Sequence, residues 1–228
     1  MATYDLEEQE QLAELKAWWK LYGNLLINVF TAAMLIVSAW LGWNWYQRSQ
    51  SAQASIVYQV LQKAVQDKDS QRLKAASGEL LDKYSHSTYA SLGALITAKA
   101  MMDSGDAKTG KLQLLWVVEH GQDELRDLAR LRLAAVLLDE KAYDDALKQL
   151  DGNVGSGFAA RFAENRGDVF SAQGKVREAR AAYQSAVDAI DELNKKSTQS
   201  TQNRQGAAGT VYRELLQQKL DALGSSKQ

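Results

Sequence analysis

His86 and His120 are the two residues in this chain best equipped for acid–base or metal chemistry, and their settings argue against both roles. Each lies near the end of a predicted helix, with no second histidine or carboxylate at a ligand spacing such as HExxH. They read as surface or helix-end residues. The run GNVGSG, with Gly152, Gly155 and Gly157, has the composition of a phosphate-cradling loop. It lacks the spacing, the lysine and the preceding strand of such a loop, so it reads as a connection between helices. Asp67 to Asp69 (DKD) lack the later ligands and the glycine of a calcium loop. The other carboxylates alternate with Lys and Arg, as on solvated helix faces. Cysteine is absent, which removes thiolate nucleophiles, disulfides and Cys-based metal sites. The expectation is no enzyme, no cofactor and no bound metal, and what remains is binding through surfaces.

The elements that present those surfaces begin with LLINVFTAAMLIVSAWLGWNWYQRSQ, Leu25 to Gln50. No charged side chain occurs from Leu21 to Gln47. At about 1.5 Å per residue the apolar part is long enough to cross a hydrocarbon core of roughly 30 Å. A cleaved signal peptide would carry a basic leader and a small-residue cleavage site. This run instead follows Asp5, Glu7, Glu8, Glu10 and Glu14 and ends in bulky aromatics. Trp18 and Trp19 flank one side and Trp40, Trp43, Trp45 and Tyr46 the other, the pattern of an aromatic belt at each membrane interface. The reading is an acidic amphipathic tail over 1–22, a transmembrane helix over 23–46 and a tethered domain over 47–224. Lys16 and Lys20 against Arg48 and Lys63 leave the positive-inside count near a tie. The layout of short tail and long following domain favours a cytoplasmic tail.

Outside the span the chain is polar and nearly neutral, 27 Lys+Arg against 28 Asp+Glu, which offers no attraction for nucleic acid. Proline is absent altogether, so helices can run uninterrupted. Three segments align without gaps: Leu92 to Val118, Leu128 to Val154 and Arg161 to Val187, starting 36 and 33 residues apart. Small residues recur at Ala98, Ala134 and Gly167, large apolar ones at Met101, Leu137 and Phe170, and turn positions at Gly105, Lys141 and Gly174. In the second half of each unit Gly110, Ala146 and Ala179 are again small, followed by Leu114, Leu150 and Tyr183. Each unit is a helical hairpin, and a period of about 34 residues belongs to tetratricopeptide repeats. The first-helix Trp and closing Pro of that consensus are missing, and Lys141 stands where Gly is usual. Upstream, residues 51–87 form an off-consensus helical pair. Downstream, a polar loop over about 195–209 precedes a capping helix over about 210–223. The fold class is all-α: one N-terminal transmembrane helix, then a hairpin solenoid with a C-terminal cap.

By repeat position the inner side of such a stack is lined by Leu92, Leu95, Lys99 and Met102, then Leu128, Leu131, Ala135 and Leu138, then Arg161, Glu164, Asp168 and Ser171. A Leu/Met floor suits adaptable apolar binding, although most apolar helical stripes are core. Within the span, Asn24, Asn28, Thr31, Leu35, Ser38 and Gly42 repeat at alternating spacings of four and three; Asn28, Thr31, Ser38 and Gly42 are a candidate contact face for a neighbouring membrane helix.

The residues then resemble a known family. The exit LGWNWYQRSQSAQAS (Leu41 to Ser55), STYASLGALITAKAMMDSG (Ser87 to Gly105), LRDLARLRLAAVLLDEKAYDDALKQLD (Leu125 to Asp151) and GFAARFAENRGDVFSAQGKVREARAAYQSAV (Gly157 to Val187), in that order and spacing, are similar to the YfgM-type ancillary subunits of the SecYEG translocon. The resemblance implies a bacterial inner-membrane protein with a periplasmic tetratricopeptide-like domain. It also implies association with the translocon and with a PpiD-like periplasmic chaperone, and a part in passing newly exported proteins onward, with no catalytic residues to carry over. A different reading is a scaffold whose tail stripe, Leu12, Leu15, Trp19 and Tyr22, sequesters a cytoplasmic signalling protein and so negatively regulates an envelope stress response.

Overall fold

The computed structural model describes residues 4–199 and 205–225, with side chains for 16–195 and 209–224. Among these residues there are nine α-helices and no strand. The chain divides into two units between Gln53 and Ala54.

Most of α1 (Tyr4–Gln66) makes up the first unit. No proline interrupts it, so tail, apolar run and the lead into the domain are one helix. It contains a window long and apolar enough to cross a membrane, and none of that window is buried inside the structure. Ile36 is 70% and Trp40 65% exposed. Such side chains left in water forfeit roughly 1.5–3 kcal/mol each, which lipid surroundings restore.

The second unit pairs its helices in sequence. The end of α1 meets α2 (Ser70–Lys83); α3 (Thr88–Asp103) pairs with α4 (Ala107–His120), α5 (Asp123–Asp139) with α6 (Tyr143–Gln149), and α7 (Ala159–Ala172) with α8 (Val176–Gln199). Asp69, Ser87 and Asp106 cap α2, α3 and α4, each accepting a backbone N–H of the first turn. Hydrogen bonds from Lys74 and Thr109 hold the Asp106 carboxyl down at about 2.

The turns explain the repeat. Gly105 (φ 88°), Lys141 (φ 60°) and Gly174 (φ 71°) all adopt the left-handed conformation, as their shared column predicts. At each, two backbone N–H groups return to the preceding helix: Gly105 to Met102 O and Asp106 to Met101 O at 3.0 and 2.8 Å, Lys141 and Ala142 to Leu138 and Leu137 O at 2.9 and 2.8 Å, Gly174 and Lys175 to Ser171 and Phe170 O at 2.9 Å. This is the Schellman closure of a helix end. Lys68 (φ 55°) repeats it, with Lys68 N to Val65 O and Asp69 N to Ala64 O. The off-consensus first pair therefore closes like the rest. Lysine hides the signal, because a non-glycine residue accepts this backbone only at a cost of about 1–2 kcal/mol.

The small columns are where paired helices touch. A Cβ added to Gly110 on α4 would lie 2.9 Å from Ala98 O, and one on Gly167 would lie 2.4 Å from the Tyr183 ring. Met101, Leu114, Leu137, Leu150 and Tyr183 are buried between them. A central cluster around Leu133, Phe162 and Val169 joins α3 through α7, and a second forms around Leu61, Leu73 and Leu80.

The polar stretch expected to loop over about 195–209 is helical at both margins. α8 runs to Gln199 and α9 (Gln205–Ser225) starts before the predicted cap; residues 200–204 lie outside the described residues. Gln and Ala at those margins are sound helix formers, and polarity alone does not stop a helix. Leu216 of α9 is fully buried against Ala160 and Ala163 of α7 and Ala186, Val187 and Ile190 of α8, closing the end of the stack.

Candidate functional site

The glycine loop is held from behind by a pair the repeat pattern did not single out. Asp127 and Arg130, one turn apart on α5, are both buried at their side chains (10% and 13% exposed) and bridge at 3.4 Å. Arg130 Nε donates to Gln149 O at 2.8 Å, Nη1 to Asn153 O at 3.2 Å, and Nη2 to Asp151 O; its guanidinium also lies 4.8 Å from the Phe162 ring centre. Asp127 Oδ2 accepts Gly155 N–H at 2.9 Å. The loop's carbonyls thus satisfy Arg130 and one of its amides satisfies Asp127. This is a connection between hairpins fixed in place, with Gly152, Val154 and Gly155 N–H bonded to the carboxylate or amide oxygens of Asp151, Asn153 and Asp127.

The residues of the predicted inner lining do not share one fate. Leu95 (4% exposed) and Leu131 (7%) belong to the central core, so they are not groove residues. Met102, Leu128 and Leu138 are half-buried and pack against the same core, Met102 over Gly110. Leu92 is half-buried. Lys99 is exposed and paired with Asp103 at 2.7 Å.

Arg161, Glu164 and Asp168 are engaged by α9. Tyr212 OH donates to Glu164 Oε2 at 2.5 Å, and Lys219 Nζ donates to Glu164 Oε1 at 2.8 Å and to Asp168 Oδ1 at 2.7 Å. Tyr183 OH donates to Asp168 Oδ1 at 2.7 Å, and Arg161 lies over the Tyr212 ring at 5.3 Å. Burial, then the Asp168 carboxylate, pushes the Tyr183 phenol up; burial and Glu164 do the same to Tyr212. Burial alone would pull the Lys219 ammonium down, but its hydrogen bonds to Asp168 and Glu164 outweigh that and leave it raised. The acidic lining of the last repeat is a clamp for the cap, a correction to its reading as free partner surface. The sequence hid it because Tyr212 and Lys219 lie 48 and 55 residues from Glu164.

The two histidines come together. His86 and His120, with Ser87, Ser91 and Gln122, line a small polar pocket of about 40 Å³. His120 stacks on Trp116 at 4.7 Å with Nδ1 3.1 Å from Trp116 O, a helix-end contact. Among the described residues no group of three or more His, Cys, Asp or Glu side chains is placed to hold a metal ion. Asp69 of the DKD run is the cap of α2.

In the apolar helix Asn28, Thr31, Ser38 and Gly42 are exposed, and Thr31 Oγ1 donates to Ile27 O at 2.8 Å. A Cβ on Gly42 would meet nothing within 4 Å. Trp18, Trp19, Trp40, Trp43, Trp45 and Tyr46 are all exposed, with Trp18 near Tyr22 (5.8 Å) and Trp43 near Tyr46 (6.4 Å). The tail side chains Leu12 and Leu15 lie outside the described side chains.

Residues 16–225 match the family model of a tetratricopeptide repeat-like domain. The chain is 32% identical over 223 residues to a Neisseria gonorrhoeae protein named ancillary SecYEG translocon subunit, covering 96% of this chain and 98% of that one. A Haemophilus influenzae protein of the same name is 32% identical over 185 residues, 81% of this chain and 90% of its own. The Escherichia coli counterpart is 29% identical over 188 residues, 82% and 90% of the two chains.

Proposed function

This chain belongs to the family of ancillary SecYEG translocon subunits with a tetratricopeptide repeat-like domain, and on that premise we propose that it is a single-pass inner-membrane subunit of the translocon. Its tail lies in the cytoplasm and its hairpin domain in the periplasm. There the domain binds newly exported chains and a PpiD-like chaperone, passing the first to the second without catalysis. The observation that carries this reading is the match to relatives of that name over nearly their whole length, apolar helix and repeats together. The physical support is a helix with an unburied apolar surface joined to a stack of hairpins in which Asp127, Glu164 and Asp168 are engaged by the glycine loop and the cap. Tethering raises the effective concentration of a weak binding surface at the channel exit.

In-cell photo-crosslinking tests it, with probes at Ile36 in the exposed apolar helix and at Leu92 in the repeats. Leu131 is unsuitable because it is core. Translocon subunits captured from Ile36, with exported chains or chaperone captured from Leu92, are the expected products. Crosslinks confined to a probe at Leu15 would overturn the reading in favour of a tail-based scaffold.

A further inference from the structure

The apolar part of α1 carries two kinds of face. Asn24, Asn28, Thr31, Leu35, Ser38 and Gly42 follow one another in alternating steps of four and three, the a/d seam of a left-handed helix pair. The positions outside that seam hold bulky side chains, among them Phe30, Ile36, Val37 and Trp40, and all of these are exposed. A fluid lipid tail imposes no seven-residue period, whereas a crossing helix does. One seam residue also lacks something. Thr31 Oγ1 is satisfied by Ile27 O at 2.8 Å. The Asn28 side chain is exposed, and among the described residues nothing hydrogen-bonds to it. It lies five residues inside the span that starts at 23, about 8 Å deep at 1.5 Å per residue. Water is absent at that depth, and an unpaired amide there is costly until a partner supplies its hydrogen bonds.

We infer that this seam receives a second copy of the chain, the two apolar helices running parallel with Asn28 against Asn28. This rests on the single-pass reading above and adds a partner to it. Two copies inserted with the same topology hold each residue at the same depth, so every seam residue meets its own counterpart across a two-fold axis. An amide suits that arrangement because it carries both donors and an acceptor, and two identical amides satisfy each other. Asparagine at a single a position is also the device that holds a coiled coil to one register and oligomer state. Toward the other end of the span Ser38 and Gly42 are small enough for the two backbones to draw close. Ile36 lies outside the seam, so pairing leaves its face free for the translocon.

The chain has no cysteine, so single cysteines report contacts without background. The test places Leu35→Cys, Ser38→Cys or Gly42→Cys in the seam, and Phe30→Cys, Ile36→Cys or Val37→Cys outside it, in the full-length protein in bacterial inner membranes. Oxidation with copper phenanthroline is followed on non-reducing gels. Adducts of two copies, several times stronger from the seam positions than from the others, are the expected result. In the Leu35→Cys background Asn28→Leu should weaken pairing about threefold to fifteenfold, the range for one hydrogen bond between membrane helices, and Asn28→Gln should retain it. Both side chains suit a membrane helix, so recovery in the membrane fraction should match the parent. Equal crosslinking from both faces, seam adducts with a different protein only, or pairing unchanged by Asn28→Leu overturns the self-association alone. Absence of the full-length chain from the membrane fraction overturns it together with the single-pass reading.

Discussion

Replacing Gly167 by alanine sets two physical rules against each other. In a helix interior alanine is favoured over glycine by about 0.5–1 kcal/mol. Here, however, the new methyl would sit 2.4 and 2.5 Å from Tyr183 Cε1 and Cδ1. The ring has little freedom to move: it is 4% exposed, its hydroxyl is bonded to Asp168 at 2.7 Å, and Lys219 lies over its face at 5.5 Å. Overpacking of this kind costs about 1–3 kcal/mol, and disturbing the Tyr183 hydrogen bond adds roughly 1 kcal/mol. The net expectation is a destabilisation of about 1–3 kcal/mol, or a melting temperature lower by about 2–10 °C for a domain of this size. The assay is thermal unfolding followed by circular dichroism, with Tyr183→Leu combined in a double-mutant cycle to make room for the methyl. A coupling of about 1 kcal/mol or more is expected if the clash is the cause. A Gly167→Ala variant that melts at or above the wild-type temperature would refute the close contact between α7 and α8.

Lys141→Gly removes the left-handed penalty at the third turn (φ 60°) and should raise the melting temperature by a few degrees, about 1 kcal/mol of stability. Asp127→Ala leaves Arg130 buried without its carboxylate and frees Gly155 N–H; unfolding should show a loss of about 2–4 kcal/mol, with early proteolysis at the 150–157 loop. The cap is sensitive to alkali. Tyr183, Tyr212 and Lys219 all have raised values in the fold, against 10.0 for free tyrosine and 10.5 for lysine, so their contribution is fully present below those values and is lost as pH rises through the folded ones. Tyrosinate absorbance should show two tyrosines titrating late, together with loss of helicity, and Lys219→Met should shift that loss to lower pH.

Much of the architecture was legible along the chain because it is local. The apolar run before the aromatic group at Trp40 to Tyr46, and the turn column Gly105, Lys141, Gly174, depend on contiguous residues and on backbone bonds that return three to five positions. Even so Lys68 was missed, since a lysine in a left-handed turn carries no compositional mark.

What the sequence determined by itself was a membrane-length helix followed by hairpins of fixed period, because hydrophobic length, helix propensity and turn closure act within one or two helices. Only the tertiary structure decided which side chains remain available. It placed Leu95 and Leu131 in the core, turned Glu164 and Asp168 to Tyr212 and Lys219, and spent Asp127 and Arg130 on the glycine loop. A stripe of residues has the same spacing whether it meets solvent or another helix. Burial and charge pairing between elements tens of residues apart settle which of these occurs.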